Sequence, residues 1–261
     1  MNLLQEIPSY EKVEYLYDEL SEYYHFLYPN IEDLNRRIAS ELDLKLLKPT
    51  NAKKILECAC GTGHLAIEFA KLGYEVTGLD LSKQMIRQAI SNAKRANVDI
   101  KFIHSNILSL STTIEGKYDV VICRGNSFSH IRPNDIKMAF ENINFVLKKG
   151  GICYVDIRNY EVALCEKPLF EHRAHLKVDE KDIISFYIFD YKEDIRTYNI
   201  FFVFFNKNTK TVSHKLVTID GFVVFENTLL DAFKASGFED IKKINLDGES
   251  KEINIYLGTK A

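Results

Sequence analysis

Short apolar runs alternate with segments of helical periodicity through the first part of the chain. Between two of these runs, Leu65, Phe69 and Leu72 recur at i, i+4 and i+7 and predict a helix that ends at Gly73. Strands that alternate with helices favour a parallel, doubly wound α/β sheet, which binds ligands beyond the carboxyl ends of its strands. The predicted strands are Ile55–Glu57, Tyr74–Asp80, Ile100–His104, Tyr118–Cys123 and Ile152–Asp156.

The pattern changes after Arg158. Strand-like runs at Ile183–Phe189, Ile195–Phe205 and Thr211–Ile219 predict an inserted antiparallel sheet, with a turn at Asn206–Asn208. The run from Phe201 to Phe205 is too apolar to stand exposed, so we expect it to pack on the main domain, on a lid or on another subunit of a homo-oligomer. A helix ending at Gly237 and strands at 239–244 and 253–257 close the chain.

Four segments follow from these patterns. We predict a helical cover at 1–50, a nucleoside-binding core at 51–158, the inserted β region at 159–222 and a completion of the core at 223–261. The first segment is rich in tyrosine, and a helix from about Lys12 to His25 would place Leu16, Leu20 and Tyr24 on one face. This helix is either a simple cover or a lid whose rings face a cationic ligand.

Composition narrows the class of protein. The 261 residues are 46% hydrophobic and 27% charged, with a net charge of −3 and a pI of about 6.2. This balance is typical of a globular protein and does not favour nucleic-acid binding. No apolar run is long enough to span a bilayer, and the start of the chain lacks the pattern of a signal peptide. The five cysteines have no metal-like pairing, which predicts reduced thiols, no metal and a cytoplasmic location.

The turn after the first strand is the strongest chemical signal. Gly61-Thr62-Gly63 follows the strand, Glu57 precedes the turn, and Asp80 ends the second strand. Glycines let a backbone approach a ligand closely, and an acid at the second strand end accepts the two hydroxyls of a ribose. The unit therefore predicts a nucleoside site, and its Gly-x-Gly-x-x-Ala spacing also fits a dinucleotide.

Glu57 distinguishes these ligands. An acid at this position would repel a pyrophosphate and suits the cationic amino-acid end of a different nucleoside. Glu-x-x-Cys-Gly-Thr-Gly at 57–63 resembles the first motif of class I S-adenosylmethionine (SAM) methyltransferases. The resemblance implies a Rossmann-like methyltransferase sheet with SAM as cofactor and S-adenosylhomocysteine as product.

Three later motifs narrow the resemblance. The third strand is followed by Ser105-Asn106-Ile107, the fourth by Arg124-Gly-Asn-Ser-Phe-Ser-His130, and the fifth by Arg158-Asn-Tyr160. Together they resemble glycine and sarcosine N-methyltransferases. This resemblance implies that Asn106 contacts the adenine, and that Asn126, His130 and Arg158 line the acceptor site, with Arg158 on a substrate carboxylate. The implied cofactor contacts are Tyr24, Arg36 (or Arg37), Glu57, Ala59, Gly61, Gly63, Asp80, Leu81, Met85, Asn106, Ile107, Cys123 and Arg124.

Each acceptor residue also has a structural interpretation. Asn126 could hold a turn, His130 could bond to a loop carbonyl, and Arg158 could pair with a nearby acid such as Asp156. Arg124 departs from the family, which has an apolar residue there, and a second cation would suit a larger or more acidic acceptor. Methyl transfer from a sulfonium needs alignment and a dry pocket, so we name no obligatory catalytic acid or base.

The resulting hypothesis is a methyltransferase that acts on the nitrogen of a small amine, expected to bear a carboxylate, such as glycine or sarcosine. An amino sugar or another metabolite is the alternative acceptor. A nucleic-acid methyltransferase is less favoured, because the loop after the fourth strand is Gly125-Asn-Ser-Phe128 and lacks the Asn/Asp-Pro-Pro motif. A non-catalytic SAM-binding module is the remaining alternative, and we expect no membrane partner.

Overall fold

A computed structural model describes residues 9–246 and 252–261. The chain forms two compact units, one from residues 1–29 and 167–223 and the other from 30–166 and 224–261. We call them the inserted-sheet unit and the mixed-sheet unit. These units change at 29/30, 166/167 and 223/224, whereas the segment limits were predicted at 50/51, 158/159 and 222/223. The segment 30–50 lies with the core because its helix packs there.

The mixed-sheet unit is built on seven strands in the order β10-β11-β5-β4-β1-β2-β3. Five are parallel neighbours, and β11 enters antiparallel between β5 and β10, pairing Ile253 with Arg158. This confirms the predicted doubly wound, Rossmann-like sheet. The strands are β1 Lys54–Cys58, β2 Glu75–Asp80, β3 Lys101–His104, β4 Tyr118–Cys123, β5 Leu147–Arg158, β10 Phe238–Ile244 and β11 Ile253–Lys260.

Helices bury the apolar stripes that the sequence predicts. Ser82 caps α4 by accepting a hydrogen bond from the Met85 amide at 3.1 Å. Leu42, Phe69 and Val120 belong to one buried core that joins α2 and α3 to the central strands. The helices of this unit are α2 Ile31–Leu42, α3 His64–Lys71, α4 Lys83–Ala96, α5 Leu110–Thr113, α6 Ile136–Val146, α7 Tyr160–Glu166 and α8 Glu226–Ala235.

The inserted-sheet unit is a four-stranded antiparallel meander with one helix. The strands β6 Phe170–Val178, β7 Lys181–Lys192, β8 Ile195–Asn206 and β9 Thr211–Phe222 pair in sequence order. The turn predicted after Asn206 is present, and the Asn206 side chain accepts from the Asn208 and Thr209 amides. These hairpins confirm the predicted second sheet.

The N-terminal helix covers one face of this second sheet. Helix α1, Tyr10–Ser21, packs Leu20 into a cluster with Phe202, and the Tyr23 ring lies 5.3 Å from the Phe202 ring. The apolar run at 201–205 thus obtains part of its cover from residues of its own unit. The helix ends at Ser21, before the predicted limit at His25, and a 3₁₀ turn follows at Tyr24–Phe26.

Two local expectations were wrong. Leu72, which we expected on the buried face of the predicted helix, is 45% exposed, and α3 ends one residue before it at Lys71. β5 begins at Leu147 because that residue pairs with Tyr118, so the strand starts earlier than Ile152. The sequence analysis also missed β6.

No helix among residues 9–246 and 252–261 is long and apolar enough to cross a membrane.

Candidate cofactor and acceptor site

The turn between β1 and α3 has three residues in the left-handed region. Ala59, Gly61 and Gly63 have φ values of 55°, 53° and 78°. A Cβ on Gly63 would come within 2.9 Å of the Ala89 Cβ, so packing of α3 against α4 requires glycine there. A Cβ on Gly61 would meet nothing within 4 Å, so the backbone at Gly61 borders open space in which a ligand can approach it.

Asp80 fixes this turn from the end of β2. One carboxylate oxygen accepts from the Gly61 amide at 2.7 Å, and the other accepts from the Ser82 amide at 2.8 Å. The residue is buried at 8% exposure. Each carboxylate oxygen has a second lone pair, so these two backbone bonds leave capacity for ribose hydroxyls.

Glu57 is a buried acid at the carboxyl end of β1. Burial raises its pKa to about 8, while a hydrogen bond from the Ala66 backbone and the nearby Arg124 cation act in the opposite direction. Its Oε2 atom is buried and has no hydrogen-bond partner among the residues that the structure describes. A buried polar atom of this kind is costly unless a ligand completes it.

Further residues predicted to contact the cofactor, among them Asn106 for the adenine, follow β2 and β3 in the chain. Met85 is buried, and the Leu81 carbonyl is 2.8 Å from the His104 Nε2 atom. The Asn106 side chain accepts from the Leu108 amide at 2.9 Å and begins a 3₁₀ turn at Ile107–Ser109. This bond uses the carbonyl oxygen of Asn106, and the half-buried residue keeps an amide nitrogen that can donate.

The loop after β4 is tied to β5 by Asp156. This buried carboxylate accepts from the Gly125 amide at 3.0 Å and the Asn126 amide at 2.7 Å, and Arg124 Nε lies 3.9 Å away. Cys123, just before the loop, is buried, and burial raises the pKa of its thiol. Asp156 thereby sets the direction in which the chain leaves β4.

Asn126 takes part in the same connection. It has a φ of 59°, its side-chain oxygen accepts from the Arg158 amide at 2.8 Å, and its nitrogen donates to the Tyr160 hydroxyl at 3.3 Å. The side chain therefore holds two strand ends together, which is the structural role that the sequence left open. His130 is half-buried in the 3₁₀ turn Ser127–His130 that follows.

Arg158 has an acid partner that the sequence analysis did not name. Its Nη1 atom lies 2.6 Å from Oε2 of Glu252, and the Arg158 side chain is 16% exposed. Glu252 directly precedes β11, which pairs with β5, so strand pairing brings two residues 94 positions apart into contact. A substrate carboxylate would have to share this guanidinium with Glu252.

Two further predicted cofactor residues have contacts of their own. Arg36 is 58% exposed on α2, with Nη1 at 2.9 Å from Asp33 and Nε at 4.0 Å from Glu68, and Arg37 is exposed as well. Tyr24 belongs to the inserted-sheet unit, where its ring lies 5.2 Å from the Tyr28 ring. Their roles toward a cofactor stay predictions.

The central strand ends thus bring together most of the predicted site. Asp80, Cys123 and Arg158 end β2, β4 and β5, and Glu57 is the last residue but one of β1 in the same sheet. The open backbone at Gly61 and the uncompensated oxygen of Glu57 fit a nucleoside with a cationic amino-acid end. Among the described residues, no group of His, Cys, Asp and Glu side chains could hold a metal ion.

Known proteins share this domain and this fold. Residues 55–151 match the family described as methyltransferase domain. The glycine/sarcosine N-methyltransferase of Aphanothece halophytica is 35% identical over 127 residues, which cover 48% of this chain and 48% of that protein. The chain spans about half the length of the curated relatives it matches.

Solved structures resemble the whole fold at low identity. A SAM-dependent methyltransferase from Clostridium acetobutylicum has a TM-score of 0.71 at 19% identity, covering 96% of this chain and 98% of that one. A SAM-bound amino pentose methyltransferase from Micromonospora echinaspora has a TM-score of 0.71 at 13% identity, covering 93% and 97%. The chain therefore contains a methyltransferase domain, at residues 55–151, built on the class I SAM-dependent methyltransferase fold.

Proposed function

We propose that this protein is a SAM-dependent N-methyltransferase that acts on a small, carboxylate-bearing amine such as glycine or sarcosine. The family of the domain and the names of the curated relatives support this proposal. The motifs at Asn106, at Gly125–His130 and at Arg158–Tyr160 agree with it, because they stand at the ends of β3, β4 and β5.

The choice of SAM over a dinucleotide rests on one observation. Glu57 is a buried carboxyl whose Oε2 atom lacks a partner among the described residues, beside a turn whose backbone is open at Gly61. A pyrophosphate would place more negative charge against this acid. The ammonium group of SAM would instead complete it with an ion pair.

The other cofactor contacts follow from position. Asp80 would accept the ribose hydroxyls, the Gly61 turn would approach the methionine portion, and Asn106, with Met85 and Ile107, would contact the adenine. Arg36 remains the proposed partner of the SAM carboxylate. When bound, SAM supplies an activated methyl group on a sulfonium.

The protein's own residues would align the acceptor. The acceptor's ammonium group would first lose a proton to water, and the freed nitrogen lone pair would then bond to the methyl carbon as the carbon–sulfur bond breaks. This displacement needs an in-line approach and exclusion of water more than a strong base. Arg158 and His130 would hold and orient the acceptor, while Asn126 keeps the strand ends that carry them in place.

A second acceptor class is favoured by one contact. Glu252 already pairs with Arg158 at 2.6 Å, so the group predicted to hold a substrate carboxylate is partly neutralised. An acceptor without a carboxylate, such as an amino sugar, would leave this pair intact. The amino pentose methyltransferase from Micromonospora echinaspora, which has a similar fold, agrees with this alternative.

A methyl-transfer screen distinguishes a carboxylate-bearing acceptor from an amino sugar. Purified protein with SAM is offered glycine, sarcosine and amino sugars, and release of S-adenosylhomocysteine is measured. Turnover of glycine or sarcosine, with a KM that Arg158→Ala raises and Glu252→Gln lowers, supports the carboxylate acceptor. Turnover of amino sugars alone supports the second candidate, and a lack of SAM binding contradicts both.

We also propose that the protein works in the cytoplasm as a homo-oligomer and without nucleic acid. All five cysteines are free, as in reducing compartments. The face of the second sheet opposite α1 exposes apolar side chains, among them Phe170, Ile188 and Leu216. Light scattering after gel filtration tests the assembly, and a monomer at micromolar concentration would contradict it.

A further inference from the structure

Arg196 is a fully buried cation in the inserted-sheet unit. It is the second residue of β8, has an exposure of 0%, and heads the largest fully buried side chains of the described chain. Arginine is rarely buried without a partner, because removing a guanidinium from water is costly. The role of Arg196 therefore depends on the groups that surround its guanidinium.

Aromatic rings surround the guanidinium. Its central carbon lies 3.9 Å from the ring centre of Phe189, 5.1 Å from that of Tyr198 and 5.3 Å from that of Tyr191. Rings attract a cation through their faces, but they do not accept the in-plane N–H bonds of the guanidinium edge. The cation is stacked, and its donors are still to be satisfied.

Those donors have no partner in the described chain. The Nε, Nη1 and Nη2 atoms of Arg196 are all buried and make no hydrogen bond to any residue of 9–246 or 252–261. Acids on the adjacent strand positions are engaged elsewhere: Asp220 bonds to Thr197 and Lys12, and Asp190 bonds to the Tyr191 amide. The five N–H donors of this guanidinium are thus left without an acceptor among the described residues.

Arg173 of the same unit provides the contrast. Its guanidinium also stacks on rings, those of Tyr28 and Tyr187, at 4.9 and 5.1 Å. Yet its Nη1 donates to Glu171 at 2.5 Å. The stacked guanidinium of Arg173 thus has an acid partner, whereas that of Arg196 has none among the described residues.

We propose that Arg196 anchors a carboxylate-binding site within the inserted-sheet unit, and that its ligand is a small organic monocarboxylate. The planar fork of arginine binds a carboxylate through two parallel hydrogen bonds. One guanidinium balances one negative charge, and the rings of Phe189 and Tyr198 favour an organic body. A phosphate would need further donors or cations, which these neighbours do not supply.

Arg196 lies near an exposed turn in the sequence. Glu193 and Asp194 form an exposed turn between β7 and β8, two residues before Arg196. The acceptor of the proposed function is one ligand of the required chemistry. The site itself rests on Arg196 alone, and its test uses no methyl transfer, so its failure is distinguishable from a failure of the proposed activity.

The test compares wild type with Arg196→Met, Arg196→Lys and Arg173→Met. Thermal unfolding is recorded with sodium acetate, glycine, sodium phosphate or sodium chloride at equal ionic strength, and acetate binding is titrated by calorimetry. We expect acetate and glycine to raise the unfolding midpoint of wild type and Arg173→Met above its value in chloride. Arg196→Met should lose this rise, and Arg196→Lys should bind acetate at least about tenfold more weakly because lysine lacks the fork.

The unfolding midpoints in sodium chloride test whether Arg196 has only a structural role. Methionine removes a buried charge at similar length, so Arg196→Met should unfold at a midpoint no lower than that of wild type. A rise with acetate that persists in Arg196→Met would overturn the proposal. So would a wild type that binds no acetate, or one that responds to phosphate alone. If Arg196→Met does not fold, the wild-type and Arg196→Lys titrations decide.

Discussion

At the scale of single residues, buried acids organise the site. Glu57 and Asp80 could be predicted, because each follows a clear apolar strand and flanks a glycine turn. Asp156 could have been found by the same signal, an acid at a strand end, but its role toward the Gly125 and Asn126 amides depends on the neighbouring strand. Glu252 could not be found, since only the pairing of β11 with β5 brings it to Arg158.

Glu57 predicts a pH dependence of SAM binding. Its pKa is raised to about 8, so below that pH the free protein holds this carboxyl protonated. The ammonium of SAM favours the ionised form, so binding releases a proton and the affinity falls as pH drops below 8, by up to about tenfold per pH unit.

The comparison with Glu57→Gln checks this dependence. We expect the variant to bind SAM more weakly at pH 8 and to lose the steep dependence between pH 6 and 8. Calorimetry in two buffers of different ionisation enthalpy counts the released proton. An equal slope in wild type and variant would assign the dependence to other groups, such as His64.

Replacement of Ala59 by glycine should stabilise the protein. Ala59 is held at a φ of 55°, where a Cβ is unfavourable, so Ala59→Gly should raise the free energy of unfolding by up to about 1 kcal/mol. The matched control, Ala232→Gly within α8, should lower it by about 0.5–1 kcal/mol. Denaturant unfolding measures both, and a loss at both positions would show that the turn does not strain Ala59.

At the scale of elements, periodicity predicted the strands that bury one face. It missed β6, whose sequence from Phe170 to Val178 carries His, Arg, Glu and Lys at an edge of the sheet. Edge strands tolerate such charges, so the apolar alternation is lost. The limits of α1 and β5 were also misplaced, because turns and strand partners fix them.

The hydrogen bonds of Asp156 indicate that the conformation of the loop after β4 depends on β5. Asp156→Ala removes the acceptor of two partly buried amides and should destabilise the mixed-sheet unit by about 1–3 kcal/mol. Asp156→Asn keeps one acceptor oxygen and should lose less. Hydrogen exchange at Gly125 and Asn126 should rise in both variants, and unchanged exchange would mean that other contacts hold the loop.

At the scale of the whole molecule, the sequence anticipated two sheets and a cofactor at the strand ends. The extent of each unit was less predictable, because helix α2 at 31–42 joins the core through Leu42 and Ile38, far from the strands in sequence. The region that matches the methyltransferase domain family, residues 55–151, lies in the mixed-sheet unit. The acceptor is consequently the part of the account that most needs experiment.

Calorimetric titration of the protein with SAM and with NAD tests the central claim most directly. We predict SAM binding that Asp80→Ala weakens by about 1.5–3 kcal/mol, the scale of a charged hydrogen bond, because the variant loses both the ribose acceptor and the bond that holds Gly61. Asp240→Ala, an exposed position on β10, is the control and should bind SAM as wild type does. Binding of NAD without binding of SAM would contradict the account.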